Sequence, residues 1–194
     1  MTPLRVLVAE DDPMVVISLT DQLAAMGHHV VGVASDGQEA IELAARLRPD
    51  IALLDIKMPR VDGIEAAERI GAEHDMPMLM LTAYNDRQLV MRAADAGALG
   101  YLLKPATTES LTAAMTMALA RHREKQQLQQ QVQQLEETLA ERTLIDKAKA
   151  ILMHRVNLSE EEAYSRMRQR AREKRIKMAS VAQTIIAAEE FLNG

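Results

Sequence analysis

The chain predicts a doubly wound parallel α/β sheet, followed by a long helix and a small all-α module. Three observations carry that expectation. Over residues 4–120, five short apolar runs alternate with five stretches of helical periodicity. The joints between them are short and rich in Gly, Pro and Asp. From Ser110 to Ile145 there is then neither Pro nor Gly, so nothing interrupts a helix. Alternating strands and helices with short joints bury their apolar faces best as a parallel sheet covered on both sides.

Each element follows from its own residues. Residues 4–9 (Leu-Arg-Val-Leu-Val-Ala) form a β-prone run that ends in Glu10, Asp11 and Asp12. Residues 15–26 place Val16, Leu19 and Leu23 on one helical face, and Gly27 stops the helix. A second strand covers 29–34. The helix over 37–48 turns Ala40, Ile41, Ala44 and Leu47 inward. Pro49 precedes the third strand, 51–55, an apolar run closed by Asp55. Helix 63–73 follows, then strand 77–81 leading into Thr82-Ala83, helix 87–96, and strand 100–103 leading into Lys104-Pro105. A fifth helix begins with 110–120.

In an open parallel sheet, ligands bind beyond the carboxyl ends of the strands. Glu10, Asp11, Asp55, Thr82 and Lys104 all lie just past such ends, so one crevice should collect them. Any one of these acids alone reads as an ordinary helix cap; the set at matching strand ends does not. Three carboxylates without a cysteine suit a hard cation, and Mg²⁺ takes one or two carboxylates, waters and phosphate oxygens. Lys104 supplies a point charge for a phosphoryl oxygen and Thr82 a hydroxyl donor. Asp55 is then the natural nucleophile, because carboxylates form acyl phosphates.

Composition narrows the choice of function further. The 194 residues contain no cysteine, which excludes disulfides, thiol catalysis and zinc-thiolate sites. No apolar run approaches the length of a membrane span, and Met1–Arg5 passes directly into strand-like sequence without a signal peptide, so a cytoplasmic protein is expected. The net charge of −5 conceals an asymmetry: residues 1–120 carry 9 basic and 17 acidic side chains, whereas residues 142–177 carry 11 basic and 5 acidic. A polyanionic partner therefore belongs to the second half.

Glu10-Asp11, Asp55 followed by Met58-Pro59 and Asp62-Gly63, Thr82-Ala83, and Tyr101-Leu-Leu-Lys104-Pro105 together resemble a bacterial response-regulator receiver domain over residues 4–119. The resemblance implies a flavodoxin-like fold, with Asp55 phosphorylated by a histidine kinase. It implies Mg²⁺ bound by Asp11, Asp55 and the Lys57 backbone carbonyl, with Glu10 acting through water. Lys104 would pair with the phosphoryl group, Pro105 would follow a cis peptide bond, and Thr82 and Tyr101 would form a switch pair. The only chemistry in view is self-phosphorylation and self-dephosphorylation, so a signalling regulator is expected in place of a metabolic enzyme.

Residues 120–140 form the expected linker. Leu128, Val132, Leu135 and Leu139 recur at intervals of 4, 3 and 4, the seam of a short two-stranded coiled coil. Beyond it, residues 141–190 should make a three-helix module. Residues 143–155 carry Leu144, Ala148, Ile151 and Leu152 at helical spacing, and Ser159-Glu-Glu-Glu162 is a capping box. The next helix places Ala163, Met167 and Ala171 on one face and Arg168, Arg172 and Arg175 on a neighbouring one. Ser180-Val-Ala-Gln183 reads as a further capping box, followed by Val181, Ile185, Ala188 and Leu192 on one face. Tyr164, Ile176 and Met178 are expected to complete the core.

Residues 142–153, then Ser159, Ala163, Met167, Ala171, Val181 and Ala182, resemble an ANTAR domain, an RNA-binding antiterminator module, over about residues 126–190. Ala150 departs from the glycine that usually follows Ala-Lys in that family. The resemblance implies RNA contacts by Lys147, Lys149, Arg168 and Arg172. The expected protein is a response regulator that forms a homodimer on phosphorylation, binds hairpin RNA in nascent leader transcripts and causes antitermination. Two other outputs fit a basic module on a receiver: binding of duplex DNA, or docking of an acidic protein partner.

Overall fold

Alternation along each strand sorts the side chains onto two faces of one sheet. The computed structural model describes residues 2–83 and 87–193. Its elements are β1 (Arg5–Ala9), α1 (Pro13–Ala25), β2 (His29–Ala34), α2 (Gly37–Leu47), β3 (Ile51–Asp55), α3 (Gly63–Glu73), β4 (Met78–Thr82), α4 (Arg87–Asp95), β5 (Gly100–Leu103), α5 (Thr108–Val156), α6 (Glu160–Lys174) and α7 (Met178–Asn193). The five strands are parallel in the order β2-β1-β3-β4-β5, the flavodoxin-like order expected.

Leu7, Leu54 and Met80 point to one face, where Ala40, Ala44, Ile64 and Ile70 of α2 and α3 cover them. Val8, Leu53 and Leu81 point to the other, under Leu19 and Leu23 of α1 and Leu111 and Met115 of α5. The central strands β3 and β4 are buried along their whole length, as parallel strands covered on both faces should be. Caps set the ends of the helices. The Asp12 side chain accepts from the Met14 N–H, with Pro13 in the first helical position. At the other end of α1, Gly27 at φ +80° and His28 donate back to Ala24 and Leu23, closing a Schellman motif. Asp36 and Asp62 cap α2 and α3 in the same manner.

The chain divides into two compact units, residues 1–126 and 127–194. The expected linker helix and the first helix of the C-terminal module are one element: α5 runs unbroken through 49 residues. In the second unit Ala148, Met167, Ala171, Val181 and Ala182 are buried, with Leu144, Leu152, Met178 and Ile185 packed beside them. Several expectations need correction here. Tyr164 and Ile176 are 45% and 42% exposed and stand outside the core. Tyr164 follows buried Ala163 directly, and one residue on a helix turns a side chain about 100° off the buried face. Ser180 is not a cap, because its N–H already donates to the Lys177 carbonyl and α7 starts two residues earlier. Ala188 is exposed, and the inward face of α7 uses Ala182 and Ile186 as well as Val181 and Ile185. The side chain of Leu192 lies outside the described residues. Among the described residues no helix is long and apolar enough to cross a membrane.

One glycine joins the fold to the site. A Cβ on Gly63 would overlap the backbone carbonyl of Asp55, because the start of α3 crosses the end of β3 at close range. Gly63→Ala is therefore expected to lower the stability of the receiver unit by about 1–3 kcal/mol or more. Urea unfolding of the full chain measures it, and an unchanged midpoint would mean that this crossing is loose.

Candidate functional site

The sheet brings the sequence-predicted residues together as expected at its carboxyl edge. Asp55 ends β3, and its side chain is 8% exposed. Thr82 ends β4 and is buried, and its carbonyl accepts from the Lys104 N–H at 2.8 Å, which pins the segment after β5 to the end of β4. The Lys104–Pro105 peptide bond is cis. Lys104 Nζ lies 2.9 Å from Asp55 Oδ1 and 2.5 Å from Glu10 Oε2. Asp11 is exposed at the rim, and carboxylate oxygens of Glu10, Asp11 and Asp55 lie within 4.8 Å of one another. Glu10 thus touches the lysine directly, a contact that spacing along the chain did not reveal.

Burial pushes the Asp55 carboxyl above its ordinary pKa; Lys104 opposes this and Asp11 adds to it. Burial likewise raises Glu10, with Lys104 opposing and Asp55 adding. Burial works to lower Lys104, but its contacts with Glu10 and Asp55 outweigh that and leave it raised. Three carboxylates thus face one ammonium in a partly dehydrated cleft. This is an all-oxygen donor set with negative charge in excess, and it fits a small hard dication. Lys57, two residues beyond Asp55, has an exposed side chain. Tyr101 on the edge strand β5 is 45% exposed.

The sequence did not disclose the support behind this pocket. Asp36 is 1% exposed and forms an ion pair with Arg60 as well as capping α2. Gly37 donates its N–H to the Val61 carbonyl, so the 56–62 segment is held to the start of α2. The only hint in the sequence is Asp36-Gly37, which reads as a plain helix start.

In the second unit, Lys147, Arg168 and Arg172 are exposed. Lys149 differs: its ammonium lies 2.8 Å from Asp146 and 2.7 Å from Glu160, and contact with these two carboxylates raises its pKa. It ties α5 to the first turn of α6. Arg155 makes a forked contact with Glu189 at 2.8 and 3.0 Å, and Lys177 meets Glu141 at 3.2 Å. Leu128, Val132, Leu135 and Leu139 are 54–64% exposed along α5, an apolar stripe without cover among the described residues.

Comparison with known proteins agrees with both halves. Residues 6–116 match the model of the response regulator receiver domain, and residues 133–186 match the model of the ANTAR domain. The transcriptional regulatory protein PdtaR of Mycobacterium tuberculosis is 40% identical over 184 residues, which cover 95% of this chain and 90% of that protein. The receiver domain of a modulated diguanylate cyclase from Desulfovibrio desulfuricans G20 is 35% identical, with a TM-score of 0.59 over 63% of this chain and 98% of that one. The BeF3-activated N-terminal receiver domain of RstA from Klebsiella pneumoniae is 30% identical, with a TM-score of 0.56 over 59% of this chain and 97% of that one.

The raised carboxyl pKas have a stability consequence with a definite sign. A carboxyl whose folded pKa exceeds its unfolded one favours folding below the ordinary carboxylate range, and that support is lost as pH rises through the folded value. In chelator, the melting temperature of the receiver unit should carry this loss as pH rises above the ordinary carboxylate range. Asp55→Asn should raise the midpoint on the alkaline side of that range and flatten the profile, and Mg²⁺ should stabilise the wild type more than the variant. Identical profiles for the two proteins would show that the Asp55 carboxyl is not raised in the folded chain.

Proposed function

Because the chain belongs to the response regulators that join a receiver domain to an ANTAR domain, we propose that Asp55 is its phosphoacceptor and that phosphorylation controls an RNA-binding, antitermination-type output. The observation that carries the first half is Lys104, shared between Asp55 and Glu10 beside an exposed Asp11. The Asp55 carboxylate attacks the phosphorus of a phosphohistidine on the kinase; the P–N bond breaks, an acyl phosphate forms, and the imidazole leaves. Asp11, Asp55 and the Lys57 carbonyl would hold Mg²⁺, with Glu10 through water, and the ion would supply positive charge to the phosphoryl oxygens. Lys104 needs only to exchange the Asp55 oxygen for a phosphoryl oxygen, and its contact with Glu10 keeps it close by. The Thr82 hydroxyl donates to another phosphoryl oxygen, and Tyr101 turns into the space that Thr82 vacates. The added charge of about −1.5 to −2 suffices to bias a surface whose two states differ by a few kcal/mol.

Residues 4–119 serve as the receiver, 120–140 as the pairing segment and 141–190 as the RNA-binding module. Leu128, Val132, Leu135 and Leu139 of two copies close the seam, since such a stripe gains from leaving water only against a partner. The paired modules then grip two hairpins of a leader transcript, with Lys147, Arg168 and Arg172 on phosphates, and a terminator cannot form. Lys149 acts at that surface through the tie between α5 and α6.

Beryllium fluoride with Mg²⁺ should shift the full chain towards twice its monomer mass in solution, and Asp55→Asn should abolish the shift. Leu135→Lys combined with Leu139→Lys should keep the chain monomeric. That pair should also weaken binding to a two-hairpin RNA by about 100-fold, with single-hairpin affinity nearly unchanged. RNA affinity that ignores both beryllium fluoride and Asp55→Asn would sever the receiver from the output.

A further inference from the structure

The apolar stripe of α5 has a cation at each end. Lys125, Leu128, Val132, Leu135, Leu139 and Arg142 recur at intervals of 3, 4, 3, 4 and 3, so the two cations hold the seam positions just outside the apolar four. Reversing one helix of a pair does not separate them. A parallel pair sets Lys125 against Lys125, and an antiparallel pair sets it against Arg142. Like charges facing one another across a seam oppose pairing, so each cation needs an acid nearby. Arg142 has Asp146 one turn further along its own helix. Lys125 has no such acid: the positions three and four residues to either side hold Arg121, His122, Leu128 and Gln129.

The acid for Lys125 comes from outside the helix. Asp75, in the joint between α3 and β4, lies 3.9 Å from the Lys125 ammonium and accepts from the Gln126 amide at 3.0 Å. Glu68 and Asp95 line the same hollow of about 220 Å³, so Lys125 stands against an acidic rim. One heptad step earlier, Arg121 donates to the Leu99 carbonyl at 3.0 Å, which leaves Lys125 as the first position free to face another helix. We propose that Asp75 is a pairing determinant: it neutralises Lys125 so that a second copy of this chain can close the seam at its receiver end. This rests on the pairing reading above and names the receiver residue that permits it. Asp75 stands between α3 and β4, whose other ends lie against the Asp55 carbonyl and carry Thr82, so the neutralising group belongs to elements rooted at the Asp55 site. A brace that only fastened α5 would use the Gln126 bond and would need no charge. Asparagine at position 75 separates the two roles, since its carbonyl still accepts from Gln126 while the charge is gone.

The test is the dimer dissociation constant of the full chain, measured by sedimentation equilibrium with beryllium fluoride and Mg²⁺ at low salt. Asp75→Asn is expected to weaken pairing about 3- to 10-fold, the loss of two half-exposed ion pairs per dimer. The difference should fade in about 1 M salt. Lys125→Leu should tighten pairing about 10-fold or more, because the seam gains an apolar layer. In that background Asp75→Asn should change nothing, since no cation is left to neutralise. Both positions are half-exposed, and unchanged melting of each variant establishes that it folds. The proposal is overturned if Asp75→Asn pairs as tightly as the wild type, or if it weakens pairing equally in the Lys125→Leu background, which would leave Asp75 a brace. A wild type that stays monomeric, or whose pairing survives Leu135→Lys combined with Leu139→Lys, would overturn the seam reading itself and this proposal with it.

Discussion

Lys104 stands between Glu10 and Asp55, and three strands must keep their register for it to do so. Glu10 follows β1, Asp55 ends β3, and Lys104 follows β5, each delivered by a backbone ladder to the same edge of the sheet. The arrangement is not a source of great stability. Two buried carboxylates with an exposed third nearby make a costly cluster, and one ammonium offsets only part of it. What the cluster supplies is preorganisation: opposing charges are held in fixed positions at the carboxyl edge of the sheet. The apolar strands and the two faces of helices hold it together, which explains why β3 and β4 are buried throughout.

Backbone, as much as side chains, holds this pocket in place. Gly63 lets α3 begin against the Asp55 carbonyl, and the Lys104 N–H bonds to the Thr82 carbonyl. Asp36, paired with Arg60, anchors the segment between β3 and α3 from the side of α2. A change at the Asp55 carboxylate is therefore felt first by segments tied to the ends of β3, β4 and β5. Thr82 lies at one of those ends, and Lys104 directly follows another.

The second unit distributes its charge between structure and surface. Lys149, Arg155 and Lys177 are tied to carboxylates on other parts of the same small unit, so they act as braces where the core is thin. Ala148, Met167, Ala171 and Val181 form a core with little bulk and no aromatic ring, so such braces have a task to perform. The arginines along both flanks of α6 then present most of the outward positive field. The apolar stripe of residues 128–139 lies on α5 within this same unit.

The pattern of apolar runs and breakers was enough to determine the sheet, the alternation of its elements and the strand ends at which Glu10, Asp11, Asp55, Thr82 and Lys104 meet. Local rules govern those features: side-chain period, helix stops and the placement of ligands beyond parallel strands. The same rules located the Ser159 capping box and the exposed leucine stripe. They failed where partners are distant in the chain or where two rules compete. Glu10 beside Lys104, Asp36 with Arg60, and Lys149 with Glu160 are pairings across loops, which no local periodicity encodes. Ser180 looks like a cap until the Lys177 carbonyl accepts its N–H, and Tyr164 looks like core until the buried face of α6 is seen to pass it by. Tertiary packing decided these points, because an ion pair or a buried face depends on which surfaces meet and not on the residues of one element alone.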